Sequence, residues 1–305
     1  MPDSAFTTLY HLNQAKTNIV AVVPPPENHP AYYAFSQYAK NLGYQIIAAK
    51  SSINEPQFIE KIKNINADLA VVTSYSEKFS KEFLETTKDG FLNAHPSLLP
   101  EYRGANPYSH VIINGETETG ITLHKMDENF DTGEIYLQKV VPIAQNDTMG
   151  TLFNRLNILT GEMLVEFLNY YEKQGLPQGK VQTEFNKSPK HKAPKIPPDS
   201  GKTVIHWDKS AQEIELFIRG LNPFIPAGTR FKGYYVKIFT AEAINIKSKY
   251  PSGTICSLGN TIDVATGNGV IKIRSLQFGN HFIGDAKDLL ERVKIQIGDK
   301  FELMN

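Results

Sequence analysis

Three side chains in this sequence have the types and spacing to carry out an acyl transfer together. Two lie in Asn93-Ala94-His95-Pro96-Ser97-Leu98-Leu99-Pro100, which continues to Tyr102-Arg103-Gly104. The third lies in Asp131-Thr132-Gly133, with Gly115 and Thr119-Gly120-Ile121-Thr122 in between. His95 and Asp131 can form an acid–base pair, and the Asn93 carboxamide can donate a hydrogen bond to a developing oxyanion. That combination suits attack of a neutral amine on a carbonyl, because the amine must shed a proton as it adds. The same Asn-x-His pattern is also found in loops whose polar side chains are simply satisfied, so spacing alone leaves both readings open.

Other residues of reactive type have plainer readings. His124 sits in the apolar stretch Ile121-Thr122-Leu123-His124 and reads as a packed histidine, and His110 and His206 look similar. Trp207, ahead of a helix starting near Ser210, reads as a packing anchor. Tyr32, Tyr33, Phe35 and Tyr38 fall at helical spacing and read as core. A ligand role for them stays open, since the open edge of a parallel sheet hosts ligands. No close set of His, Cys and carboxylate ligands stands outside the trio, so no metal is implied.

The elements that must position these groups alternate through the first half. Residues 18–23 and 45–48 are short apolar runs of the kind buried on both faces of a parallel sheet, and 69–73 and 91–93 follow suit. Between them, residues 31–42 read as a helix stopped by Gly43, and 56–65 as a helix with Phe58, Ile59 and Ile62 on one side. This rhythm predicts an α/β fold: a Rossmann-like, mostly parallel sheet with helices on both faces. Functional groups in such folds gather beyond the carboxyl ends of strands, where Asn93 and His95 fall. A long helix over 149–171 closes this part. Residues 174–203 are rich in Pro, Lys and Gly and read as a linker. After a helix capped by Ser210 come short strand-like runs at 234–240, 254–257, 261–265 and 270–276, which predict a small OB-like β-barrel. The expected domains are thus 1–173, catalytic, and 204–305, the barrel, joined by 174–203.

Composition narrows the class. The 305 residues, 41% hydrophobic and 21% charged, exceed the roughly 250 residues at which single cores stop growing. The single cysteine, Cys256, cannot form an intramolecular disulfide and suits a reducing cytoplasm. No run of about 18 apolar residues predicts a membrane span, and the N-terminus lacks a signal-peptide pattern. The 32 basic and 32 acidic residues leave no overall excess of cations to hold nucleic acid phosphates. The basic stretch over 180–202, with Lys187, Lys190, Lys192 and Lys195, reads as a solvated linker.

The ordered string Asn93-x-His95-x-Ser97-Leu98-Leu99-Pro100-x-x-Arg103-Gly104, then Thr119-Gly120-Ile121-Thr122 and Asp131-Thr132-Gly133-Glu134, closely resembles the folate-dependent formyltransferases. These include enzymes that formylate methionyl-tRNA, glycinamide ribonucleotide and amino sugars. Ile218-Arg219-Gly220-Leu221-Asn222-Pro223 and Val264-Ala265-Thr266-Gly267-x-Gly269 resemble the C-terminal barrel of the tRNA and amino-sugar branches, so the resemblance spans nearly the whole chain. It implies 10-formyltetrahydrofolate as donor and Asn93, His95 and Asp131 as catalytic groups. In that role Asn93 and a protonated His95 stabilise the oxyanion, while Asp131 orients His95 and helps remove the amine proton. It also implies folate contacts at Tyr75, Ser97, Leu98, Leu99, Pro100, Arg103 and Asp127.

Two departures bear on the acceptor and the start. Family members begin with a buried strand and a glycine-containing turn, whereas Met1-Pro2-Asp3-Ser4-Ala5-Phe6 already reads as the entry to a helix running to Asn13, so an upstream strand is expected, the alternative being that another segment fills its place. The loop Pro24-Pro25-Pro26-Glu27-Asn28-His29-Pro30 is short and lacks Lys and Arg, unlike the tRNA branch. Ala193-Pro194-Lys195-Ile196 resembles the tRNA branch, while the residues around Gly120 look nearer to the amino-sugar branch. The acceptor is therefore either methionyl-tRNA or a nucleotide-linked amino sugar. A hydrolase that releases formate from the folate, and a catalytically dead RNA-binding module, are the remaining alternatives.

Overall fold

The structure, a computed structural model, describes residues 3–75, 77–186 and 188–302. Met1 and Pro2 of the expected helix entry, and Lys187 of the basic stretch, lie outside them. The chain divides into two compact units, Met1–Gly104 with Thr119–Pro142 and Asn154–Lys192, and Ala105–Glu118 with Ile143–Phe153 and Ala193–Asn305. In chain order the elements are α1 (Asp3–Gln14), α2 (Tyr32–Asn41), α3 (Pro56–Lys63), β1 (Ala70–Val72), α4 (Lys81–Leu84), β2 (Phe91–His95) and α5 (Pro107–Ile113). They continue with β3 (Glu118–Lys125), β4 (Ile135–Pro142), α6 (Met149–Gln174) and α7 (Ala211–Leu221). The last are β5 (Ala227–Phe231), β6 (Tyr234–Ile244), β7 (Ile255–Leu258), β8 (Ile262–Ala265), β9 (Val270–Phe278), β10 (Phe282–Asp285) and α8 (Ala286–Leu290).

The first unit has the expected α/β character, in a sheet of order β1-β2-β3-β4. This sheet is mixed: β1 and β2 are parallel, β2 and β3 antiparallel. The runs at 18–23 and 45–48 meet in parallel, as their sequence predicts, but only through the single bridge between Val22 and Ile46. Val22 N–H donates to Gln45 O at 2.8 Å and Ile47 N–H to Val22 O at 3.1 Å. The continuous apolar run at 18–23 was expected to be buried on both faces, yet only Val22 is buried, while Val20 is 48% exposed. A one-bridge contact covers one face of a strand and leaves its alternate side chains outside.

Two apolar clusters pack this unit. Leu9 of α1, Val22, and Phe35 and Ala39 of α2 form one. Phe58, Ile59 and Ile62 of α3, with Phe79, Phe83 and Phe91, form the other. The α3 stripe falls at positions i, i+1 and i+4 after Pro56, which suits the first helical turn. Each such side chain taken out of water contributes about 1.5–3 kcal/mol.

The second unit is built on an all-antiparallel sheet in the order β5-β6-β9-β8-β7, with β10 on β9. Strands β6 to β9 fall on the predicted runs. The glycine and arginine in Ala227-Gly228-Thr229-Arg230-Phe231 hid β5, and β10 is too short to show a period. Helix α7 starts where Ser210 and Glu213 cap each other reciprocally. Its buried face, Ile214, Ile218 and Leu221, joins Trp207, Phe231, Ile271 and Ile273 in one core. Trp207 stacks on Phe301 at 5.2 Å and donates from its indole N–H to Thr229, a packing anchor as its sequence context indicates.

Candidate active site

Strand β2 sets the first two groups. Residues two apart on a strand share a face, so Asn93 and His95 project together from its end. Both belong to the strand itself, whereas the sequence placed them just beyond it. Strand β1 stops opposite Asn93, because Val72 is its last paired residue. Asp131 arrives from the β3–β4 connection, which folds back on β3 through Lys125 N–H donating to Glu134 O at 2.8 Å. Gly133 makes that return possible, since a Cβ there would lie 1.9 Å from the Lys125 carbonyl oxygen. Asp131 itself takes a left-handed backbone with φ 58°.

The three groups converge. Asp131 Oδ1 lies 3.4 Å from His95 Nδ1 and 3.7 Å from His124 Nε2. Its Oδ2 accepts the Gly104 N–H at 3.0 Å. His95 is buried, and its Nε2 lies 3.0 Å from the Tyr102 carbonyl. A carbonyl only accepts, so the Nε2 nitrogen carries the ring proton, and the position facing Asp131 is the one left to be protonated.

Burial pulls the His95 pKa below its ordinary value, with His124 and Arg103 adding to the effect and Asp131 and the Tyr102 carbonyl opposing it. Burial works the other way on Asp131. There the neighbouring His95 and His124 and the Gly104 N–H prevail and hold the carboxyl below its usual range. At neutral pH the pair is a carboxylate beside a neutral imidazole, with Nδ1 ready to take a proton.

His124, read from sequence as a packed histidine, is buried, but it also belongs to this constellation. It stands opposite Asn93 in the β2–β3 register. Its Nδ1–H donates to the Lys125 carbonyl at 2.8 Å, which leaves Nε2 to accept from Asn93 Nδ2 at 3.1 Å. The antiparallel pairing is the signal that finds it, and the linear sequence does not display it. His110 is partly buried and lies with Nε2 3.0 Å from the Pro194 carbonyl, while His206 is exposed rather than packed.

Asn93 and Asp131, with His124, line a cavity whose wall also includes Val72, Tyr75, Phe79, Met126 and Asp127; His95 is not part of its lining. Two of the expected folate contacts, Tyr75 and Asp127, are in this wall. The Tyr75 hydroxyl is buried and has no hydrogen-bond partner among the described residues. Burial, with Glu77 nearby, pushes its pKa up, so it remains a donor. Ser97, Leu99 and Pro100 are buried and Leu98 partly so, within the loop that follows β2. The Ser97 hydroxyl donates to Glu101 O at 2.7 Å, and Thr122 Oγ1 ties the loop to β3 by donating to Ser97 O and accepting from Leu99 N–H. Arg103 turns its Nε to Gln182 Oε1 at 3.0 Å. Among the described residues no three His, Cys or carboxylate side chains are grouped to hold a metal ion, and no helix is long and apolar enough to cross a membrane.

Residues 7–168 match the family model described as formyl transferase, and residues 199–294 match that of the formyl transferase C-terminal domain. A methionyl-tRNA formyltransferase of Halothermothrix orenii is 34% identical over 313 residues, covering 98% of this chain and 97% of that one. One of Clostridioides difficile is 37% identical over 240 residues, covering 78% and 74%. Among solved structures, the N-formyltransferase of Helicobacter canadensis, bound to folinic acid and dTDP-3-aminofucose, has the same fold. Its TM-score is 0.64 at 21% identity, over 89% of this chain and 95% of that one. The class is therefore a one-carbon group transferase, with one α/β unit and one unit built on an antiparallel sheet. The chain belongs to the formyl transferase family, a class of enzymes that carry out folate-dependent formyl transfer.

Proposed function

We propose that the chain transfers the formyl group of 10-formyltetrahydrofolate to the primary amine of methionyl-tRNA, with Asn93, His95 and Asp131 as its catalytic groups. The observation that carries this reading is the end-to-end similarity to the Halothermothrix orenii methionyl-tRNA formyltransferase, over 98% of this chain and 97% of that one. We assign residues 1–173 to catalysis, 174–203 to the connection and 204–305 to the C-terminal domain, in a protein of the cytoplasm.

The cavity suits the donor. Its wall pairs apolar groups, Val72, Phe79 and Met126, with the unpartnered Tyr75 hydroxyl and the Asp127 carboxylate, a lining fit for a flat heterocycle with polar edges. Tyr75 and Asp127 contact the ring in this reading, while Ser97, Leu98, Leu99, Pro100 and Arg103 shape the loop beside it. When bound, the folate supplies the electrophilic formyl carbon. Asn93 keeps one Nδ2 hydrogen on His124 and offers the second to the oxyanion. The proton lost by the attacking amine moves toward the His95–Asp131 pair and settles on His95 Nδ1. The imidazolium so formed lies against the Asp131 carboxylate and stabilises the oxyanion by its charge. His95 then gives this proton to the donor nitrogen as the bond between that nitrogen and the formyl carbon breaks, which leaves the formyl group on the acceptor amine and returns the imidazole to its neutral form. Burial of the pair strengthens both interactions, since the surroundings screen charge less than water does.

A second acceptor, the amine of a nucleotide-linked sugar, is favoured by the loop over 24–30, which carries no Lys or Arg to grip phosphates. The deciding experiment incubates the full chain and 10-formyltetrahydrofolate with methionyl-tRNA in one reaction and a panel of nucleotide-linked amino sugars in another, with products read by mass spectrometry. Formylmethionyl-tRNA is the expected product. A formylated sugar alone would move the acceptor, and formate released without either amine would make the chain a hydrolase.

A further inference from the structure

Gln182 opens a short 3-10 turn, Gln182–Glu184, in the stretch whose composition reads as a linker, yet it is 5% exposed. Its Nε2 donates to the Asp131 carbonyl at 2.8 Å and to the Gly133 carbonyl at 2.9 Å. Its Oε1 accepts from Arg103 Nε at 3.0 Å and also from Nη2 of the same guanidinium. A primary carboxamide has two N–H donors and two acceptor lone pairs, and all four are used here. Turning the amide over would set its oxygen against two carbonyls and its NH₂ against a guanidinium, so the orientation is fixed by its neighbours.

What Gln182 joins is the two loops that define the Asp131 carboxylate. On one side is the 131–133 loop, where Asp131 holds a left-handed φ of 58°, a conformation uncommon for residues with a side chain, though Asp is among those that adopt it most readily. On the other side is Arg103, the neighbour of Gly104, whose N–H binds Asp131 Oδ2 at 3.0 Å. Asp131 Oδ1 is thereby aimed at His95 Nδ1, 3.4 Å away. We propose that Gln182 is a positioning residue for formyl transfer: by cross-linking Arg103 to the Asp131 and Gly133 carbonyls it fixes the Asp131 carboxylate against His95. The stretch between the two family-model matches thus supplies part of the catalytic geometry. This inference rests on the reading of His95 and Asp131 as catalytic groups.

The test uses the full chain with Gln182→Met, which keeps length and removes all four bonds, and Gln182→Glu, which keeps an acceptor for Arg103 and removes both donors. Two readouts are taken: steady-state kinetics with 10-formyltetrahydrofolate and the amine that the wild type accepts, and the titration of the His95 imidazole by NMR, assigned with His95→Gln. The groups facing His95 are Asp131, His124 and Arg103, with the Tyr102 carbonyl on its other nitrogen. With Asp131 loosened, His95 loses the larger of the two influences that raise its pKa and titrates at lower pH than in the wild type. The kcat falls at least about tenfold, because small misplacements of a reacting group are costly, while KM for the folate stays within about twofold. A wild-type His95 titration together with a wild-type kcat in both variants would overturn the proposal. So would a loss of activity matched by loss of folded protein, with His95 unchanged in the folded fraction. If the wild type itself forms no formylated amine, the functional reading fails separately, and the His95 titration still decides the positioning.

Discussion

Asn93 and His124 face each other across the β2–β3 pair, the carboxamide nitrogen 3.1 Å from the imidazole Nε2. Because His124 commits its other nitrogen to the Lys125 carbonyl at 2.8 Å, its ring can only accept from Asn93. The amide is therefore held with its NH₂ toward His124. Replacing His124 by Leu leaves Asn93 free to rotate. A lost orienting hydrogen bond costs about 1–1.5 kcal/mol, which corresponds to roughly a tenfold fall in kcat. Kinetics at saturating folate check this, and an unchanged kcat would show that Asn93 needs no such support.

Asn93 is the donor assigned to the oxyanion. Asn93→Ala should lower kcat by about 10²–10³, the usual loss for one oxyanion donor. Folate affinity, followed by isothermal titration, should change much less. An equal loss in affinity and rate would mean that Asn93 serves binding rather than the transition state.

Burial holds His95 neutral in the folded chain, and its pKa is lowered. Between the unfolded value near 6.5 and the lower folded value, the unfolded chain binds a proton that the folded chain does not. His95 thus contributes stability that is fully present above about pH 6.5 and is lost as pH falls through the folded pKa. His110, also lowered by burial, adds a contribution of the same sign. The urea midpoint of the wild type should fall as pH drops below about 6.5, and in His95→Gln that fall should be shallower. A profile with the same slope in both would contradict the assignment of a buried, neutral His95.

Gly133 admits the close approach of the Lys125 carbonyl, where a Cβ would sit at 1.9 Å. Gly133→Ala forces the backbone apart and should destabilise the protein by about 1–3 kcal/mol, as overpacking does. The shift is adjacent to Asp131, so kcat should fall further than the loss of folded protein explains. Chemical denaturation and turnover on the same preparation separate the two effects.

The convergence of Asn93, His95 and Asp131 was legible because they sit in long ordered strings: Asn93 and His95 two apart on one strand, and Asp131 in a turn marked by Gly133. His124 was not, since its place beside Asn93 depends on the register of two strands about thirty residues apart in sequence. Gln182 was hidden more deeply. Its surroundings, rich in Pro, Lys and Gly, carry no periodicity, and its hydrogen-bond partners lie in loops about fifty and eighty residues away in sequence. The alternation of strands and helices was readable from apolar runs and Gly43. The extent of pairing was not, because an apolar run such as 18–23 states a preference for burial and leaves open how many neighbours cover it.

The most direct test of formyl transfer by this trio is a single-turnover reaction of the full chain with 10-formyltetrahydrofolate and methionyl-tRNA, followed by mass spectrometry, beside Asp131→Asn. The wild type should place the formyl group on the methionyl amine. The variant, with the same volume and no carboxylate to pair with His95 Nδ1, should bind the folate and form product at least about a hundredfold more slowly. Equal rates in the two proteins, or no formylated amine from the wild type, would contradict the assignment.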